Sequence, residues 1–359
     1  MKKILFIAAA VAIGFTVTRC GGSSSGGGGA ATTVPALVGT ITQSYQAAGS
    51  FWSANFTATN FRIDKYTNYG DTTAILSVYG TYSTDPTTLI MSLVVTSASG
   101  TDAPAPGATA YGLEIPGTVF FLKPSNAGSE IIPMVKSGTC PIATKNYNWI
   151  IAKFNSSPIT PSTAEGYGQA SFLNNGSGTV TASNITDKKN MDGSAGGSNN
   201  TGPTGACVNG YLSGSGVDMY LTQSGGAIVK TNNGGSEFIF ASPKHSIDVI
   251  ASDLNGTYTV LVFNDDSSGD KNFPAKLIMS GGTGTGDKIT NISTDATEGS
   301  PVTFSAFSAL ASSNGIFSLT FDTTGRLNCN YYVDSGKKVI ACNGYASGNK
   351  PFFLLGRQR

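Results

Sequence analysis

Cysteine, histidine and carboxylate side chains are the groups through which this chain could do chemistry, and they are few and far apart. One histidine, His245, is present. A serine or cysteine nucleophile would depend on it as general base. It stands in Pro243-Lys244-His245-Ser246, directly after an apolar run, and reads as an exposed loop residue between domains. Glu114, Glu130, Glu165, Glu237 and Glu298 are scattered too widely to give the carboxylate pair that glycoside hydrolysis needs. Asn264-Asp265-Asp266-Ser267-Ser268-Gly269-Asp270 offers oxygen ligands at short spacing. No Glu closes that loop as calcium coordination of this kind requires, so it reads as a polar hairpin tip. Gly281-Gly282-Thr283-Gly284-Thr285-Gly286 has the glycine density of a phosphate cradle. It leads from one strand into another, without the helix N-terminus that would hold an anion. This inventory predicts no enzyme, no metal site and no cofactor.

Five cysteines remain to be placed. Setting Cys20 aside leaves Cys140, Cys207, Cys329 and Cys342. An even number in an exported chain points to two disulfides, with three connectivities open. If Ser335-Gly336 forms a two-residue hairpin turn, Asp334 faces Lys337, and the register runs outward until Cys329 faces Cys342. Directly opposed residues at a non-hydrogen-bonded pair have Cα atoms about 4.5 Å apart, within reach of a disulfide. Cys329–Cys342 is therefore expected, which leaves Cys140–Cys207 by elimination. Tyr331, Val333 and Ile340 share the face of the first bridge, and that face is predicted to be buried. The absence of CxxC spacing and the single histidine argue against a metal centre.

The elements that must position these residues are strands. Helical periodicity is almost absent, while β-branched and aromatic runs such as Leu89 to Val95, Thr257 to Phe263 and Phe238 to Phe240 recur between glycine and asparagine turns, the pattern of an all-β chain. The sequence also repeats itself. Asn148-Trp149-Ile150-Ile151-Ala152-Lys153-Phe154-Asn155 resembles Thr257-Tyr258-Thr259-Val260-Leu261-Val262-Phe263-Asn264, and the units close with Phe238-Ile239-Phe240 and Phe352-Phe353-Leu354. The domains read as 38–137, 138–245 and 246–359. The last two are homologous and the first, opening at Phe51-Trp52 and ending near Val119 to Lys123, is a diverged copy. The final unit shows about eight candidate strands, which suits a small antiparallel barrel, with a two-sheet sandwich as the alternative. The expected fold is all-β: tandem small antiparallel barrels, or sandwiches, braced by disulfides.

The unit resembles the calycin barrels, the lipocalin and avidin group, on an aromatic residue in the first strand and a basic residue after the last. Here the pairs are Trp149 with Lys244, Tyr258 with Arg357, and Trp52 with Lys123. The resemblance implies a cation packed over each ring, locking first strand to last, and a cup for a small apolar ligand.

The chain begins Met1-Lys2-Lys3, followed by an apolar run from Ile4 to Phe15, a secretory signal too short to span a bilayer. It leads through Val17-Thr18-Arg19 to Cys20 and then to the Gly/Ser tract Gly21 to Gly29, a flexible linker. This resembles the lipobox of bacterial lipoproteins, with Arg19 where a small residue is usual. The resemblance implies a signal peptide over 1–19, lipidation at Cys20, a linker over 20–37, and export to the outer membrane, with the membrane as a partner through the lipid. Charge is sparse, 22 Lys+Arg against 21 Asp+Glu for a net +1. Such a balance lacks the basic patch that nucleic acid requires. The predicted function is a non-enzymatic envelope lipoprotein whose tandem β domains bind a surface polymer or protein, adhere, or build the envelope. The alternative is the apolar-ligand cup.

Overall fold

The structure, a computed structural model, describes residues 34–47, 51–100, 103–115, 119–124, 132–136, 139–140, 142–153, 157–174, 179–197, 204–214, 217–222, 226–231, 238–264, 272–310 and 314–359. Cys20, the Gly/Ser tract, the loop 265–270, Glu130 and Glu237 lie outside these residues. The short 3-10 turn Ala251–Leu254 is the one helical element among them.

The strands form three antiparallel units in chain order. The first is a closed eight-stranded barrel. Its opening strand Gln43–Ala47 meets its last, Ile132–Val135, with Gln46 opposite Val135. Phe51–Phe56 is thus the second strand and Val119–Pro124 the one before last, with one further strand on each side inside the expected domain 38–137. The second unit is also a closed eight-stranded barrel, sealed by Lys145–Ala152 against Phe238–Pro243. In the third, Gly256–Asn264 pairs with Pro351–Gln358 on one side and Asn272–Ser280 on the other. Asn272–Ser280 also pairs with Thr283–Asn291, which closes the ring, and the two-residue strand Ala296–Thr297 hangs from its flank. Closure removes the unpaired edges that would otherwise invite aggregation.

Alternation along each strand sends one set of side chains into the barrel. Tyr45, Phe56, Phe61 and Leu93 fill the first, Tyr147, Trp149, Phe172 and Leu212 the second, and Tyr258, Leu277, Phe317 and Leu327 the third. The opposite set is also buried, because the barrels press their outer faces together. Leu113, Ile115 and Val135 from the first, Ile150, Tyr167, Phe238 and Phe240 from the second, and Leu261, Phe263, Phe353 and Leu355 from the third form one shared cluster. Rings meet across the joints: Phe238 with Phe353 at 5.5 Å, Phe240 with Tyr332 at 6.1 Å, and Tyr69 stacked on Tyr211 at 4.0 Å.

The closing triplets of the repeat are offset by one residue. Phe238 and Phe240 face the shared outer cluster, whereas Phe352 and Leu354 point into the third barrel. Phe353 is therefore the partner in kind of Phe238, since a one-residue shift reverses every side chain. Val333 also departs from expectation. It is half-exposed, lying near the hairpin tip beyond the packed length of the barrel, while Tyr331 and Ile340 are buried.

Asparagines join the second and third barrels. Asn330 Nδ2 donates to the Asn148 carbonyl at 3.0 Å, and Asn328 Nδ2 to that of Met191 at 2.9 Å. Asn343 Nδ2 donates to the Ile151 and Gly166 carbonyls at 2.9 and 2.6 Å. Asn148 Nδ2 in turn reaches the Asn314 carbonyl at 2.9 Å. Asn148, Asn328, Asn330 and Asn343 are all fully buried. Within the third barrel, Arg359 forks onto Asp295 at 2.7 and 2.8 Å, and Lys276 joins at 2.6 Å. The Arg359 guanidinium, helped by Lys276, holds the Asp295 carboxyl down at about 2.

Asn343→Ala strands two buried carbonyls, at about 1–3 kcal/mol per lost partner. The expected loss in urea-monitored stability is about 2–4 kcal/mol; a change within about 0.5 kcal/mol would show that these bonds do not hold the seam. Because its folded pKa is depressed, Asp295 stabilises the fold above its ordinary value of 3.8 and loses that contribution as pH falls towards about 2. Asp295→Asn is therefore expected to lower the melting temperature at neutral pH. The gap from the parent protein should close across that acid window, and a gap independent of pH would contradict the assignment.

Candidate functional site

Both disulfides form. Cys329 lies opposite Cys342 in the hairpin register, and the two are bonded with Cα atoms 4.0 Å apart. Ser335 and Gly336 take φ of 51° and 75° at the turn, the pair of left-handed residues that a tight hairpin of this kind requires. Cys140 is bonded to Cys207, tying the segment that leads into the second barrel to its strand Thr204–Val208.

The aromatic–cation caps do not assemble as expected, and strand parity is the reason. Trp149 points into the second barrel. Lys244 sits in register with Asn146, to whose carbonyl its N–H donates at 2.9 Å, and so belongs to the outer face. There its Nζ donates to Gln169 Oε1 at 3.2 Å. Tyr258 lies opposite Gln358, while Arg357 lies opposite Thr259, so ring and guanidinium occupy opposite faces. The Tyr258 hydroxyl donates inside to the Leu254 carbonyl at 3.0 Å. Arg357 reaches out to the Glu114 carbonyl of the first barrel at 2.9 Å. Trp52 does carry a cation, Lys65 at 5.2 Å, which is its direct cross-strand neighbour. The Lys123 side chain lies outside the described residues.

Glu114 was a scattered carboxylate in the sequence, and the structure gives it company. It faces the inside of the first barrel near one end, where it accepts from Tyr45 Oη at 2.5 Å, Gln43 Nε2 at 3.3 Å and Lys136 Nζ at 3.1 Å. Burial and this carboxylate push the Tyr45 phenol far above its ordinary value. A lone carboxylate held by three donors has no second acid to work with, and the group acts as a polar plug. His245 stands apart from it. Among the described residues, no group of three His, Cys, Asp or Glu side chains could hold a metal ion.

A concavity lies where the second barrel gives way to the third. Residues 243–246 form one wall and residues 332–334 the other, around about 310 Å³. His245 is fixed by its backbone, whose N–H donates to the Asn314 carbonyl at 2.8 Å, and by its ring, edge-on to Tyr331 at 5.6 Å. Its Nδ1 stands 2.9 Å from the Ile247 carbonyl, so the neutral ring carries its proton there and presents Nε2 as an acceptor. Lys244 brings an ammonium. Asp334, nearly buried, brings a carboxylate that accepts from Ser335 Oγ at 3.1 Å. Lys244 and His245 stood out in the sequence as charge and imidazole beside a closing strand. Asp334 and Tyr332 did not, because only the docking of two barrels brings their hairpin alongside.

Lys65→Met should remove the cation from the Trp52 face and cost about 0.5–1 kcal/mol in chemical denaturation; no measurable loss would mean that the contact is incidental. The chain matches no protein-family model and no curated protein, so its own residues and their geometry carry the functional reading.

Proposed function

We propose that the protein is a non-enzymatic lipoprotein of the bacterial envelope, anchored in the outer membrane through Cys20 and binding its partner on the outside of its fused barrels. The sequence Val17-Thr18-Arg19-Cys20 followed by a Gly/Ser tract supports the anchor and the stalk. One observation carries the rest of the reading: the interior of the third barrel is packed with side chains. The space left inside the third barrel, among Tyr258, Phe304, Phe317 and Leu354, is about 10 Å³, roughly the threshold for one water. An apolar-ligand cup needs several hundred Å³, so recognition falls to the outer surface and its clefts.

Metabolic labelling with a fatty acid tests the anchor. The full-length protein should take up label and Cys20→Ser should take up none; an unlabelled parent protein would overturn the lipoprotein assignment. Solvent extraction of the purified protein, followed by mass spectrometry, should release no stoichiometric apolar ligand. Recovery of one would restore the cup.

A further inference from the structure

We propose that the cleft between residues 243–246 and 332–334 binds a single neutral, hydroxylated ring, a sugar unit of a polysaccharide; this rests on the reading of the protein as an envelope binding protein. The volume of about 310 Å³ lies at the lower end of small-molecule sites and suits one ring rather than a chain. Its polar groups are of both kinds. Lys244 Nζ and the Ser246 hydroxyl donate, while His245 Nε2 and the Asp334 carboxylate accept. Between them lie the apolar surfaces of Pro243 and of Val333, which is 50% exposed. Hydroxyl groups that both donate and accept, set around a ring with C–H faces, match that alternation.

Other ligand classes fit less well. An apolar ligand would take the charged ends of Lys244 and Asp334 further out of water, which is costly for an ionised group. An anion would meet the Asp334 carboxylate, which faces the same cleft as the ammonium. A metal ion would find one carboxylate and a cation beside it. The seam behind the wall is polar as well. Ser242, next to Pro243, lies directly opposite Asn148, whose carbonyl accepts from Asn330. Ser242 Oγ, Asn148 Oδ1 and Asn330 Oδ1 are buried without a partner among the described residues, and acceptors of this kind take ordered water. Both walls are also held in place: the Asn314 carbonyl fixes the His245 backbone, and hairpin pairing from Cys329–Cys342 to Asp334–Lys337 fixes the other side. Little ordering remains to be done when a ligand enters, which favours binding.

His245 is the chain's only histidine, so its ring resonances in NMR report on this cleft alone. Glucose, galactose and N-acetylglucosamine are titrated into the full chain in turn, with glycine and inorganic phosphate as separate titrants. At least one sugar should move the His245 ring saturably, with a Kd on the order of a millimolar. Lys244→Met should weaken that response about tenfold at an unchanged melting temperature, and Ser246→Ala, on the exposed connector, should also weaken it. A ring that ignores all three sugars overturns the proposal, as does one that moves with phosphate or glycine but with no sugar. The envelope reading fails separately, through absent label at Cys20. A labelled protein with a silent His245 would sink this site and leave the anchor standing.

Discussion

Strands buried on both faces are the constraint on which the rest of this structure depends. In Lys145–Ala152 every residue from Tyr147 to Ala152 is buried, because Tyr147, Trp149 and Ile151 fill a barrel while Ile150 and Ala152 face its neighbours. A barrel standing alone would keep its outer face polar and its inner face apolar. These barrels cannot, since a large share of the apolar surface on their closing strands is covered only when all three units meet. A fully buried phenylalanine contributes about 1.5–3 kcal/mol. Phe238, Phe240, Phe263 and Phe353 all sit in the shared cluster, so separating the barrels would sacrifice a sum comparable with the whole stability of an ordinary domain.

The asparagines of the seam follow from the same constraint. An outer strand face pressed against another barrel brings carbonyl oxygens into a dry contact, where an unpaired one is costly. Each of Asn328, Asn330 and Asn343 answers with an amide that donates to a main-chain carbonyl of the second barrel. Apolar side chains would tolerate sliding of one sheet along the other. A row of donors matched to fixed carbonyls admits one register, so these residues select the docking geometry while the aromatic cluster supplies the attraction. On the second barrel Asp218 and Lys230 are buried and directly opposite each other on adjacent strands, and Asp218 accepts from the Tyr211 hydroxyl at 2.8 Å.

Features set by local periodicity were legible in the sequence, and features set by docking were not. The strands of the third unit, the turn at Ser335-Gly336 and the Cys329–Cys342 bridge follow from alternation and from counting pairs outward, which are local rules. The same alternation assigns Arg357 and Lys244 to the outside of their barrels. The Trp149–Lys244 and Tyr258–Arg357 caps do not form because ring and cation differ in strand parity, and Lys65 beside Trp52 is a cross-strand neighbour that spacing alone does not reveal. Strands Gln43–Ala47 and Ile132–Val135 escaped notice because each is short and weakly apolar. The shared cluster was the deepest omission: a run such as Phe352-Phe353-Leu354-Leu355 is what a strand buried on both faces looks like, but the sequence does not say what covers its second face. The cleft at His245 was equally out of reach, since its walls come from residues nearly a hundred positions apart.

With the third barrel filled and apolar outer faces spent on one another, neither that interior nor those faces are open to a partner. Concavity survives where a connector must cross from one barrel to the next, because the chain there cannot lie within either sheet. Residues 243–246 make such a crossing, and they bring together the one histidine, a lysine on the outer face of its barrel and the end of a neighbouring hairpin. On the proposed reading, recognition sits at a joint between barrels and not at the barrel mouth, where a hollow calycin-like unit would place it. Binding at a joint also has a thermodynamic consequence: a ligand held by two barrels at once stabilises their docked arrangement by its own binding energy.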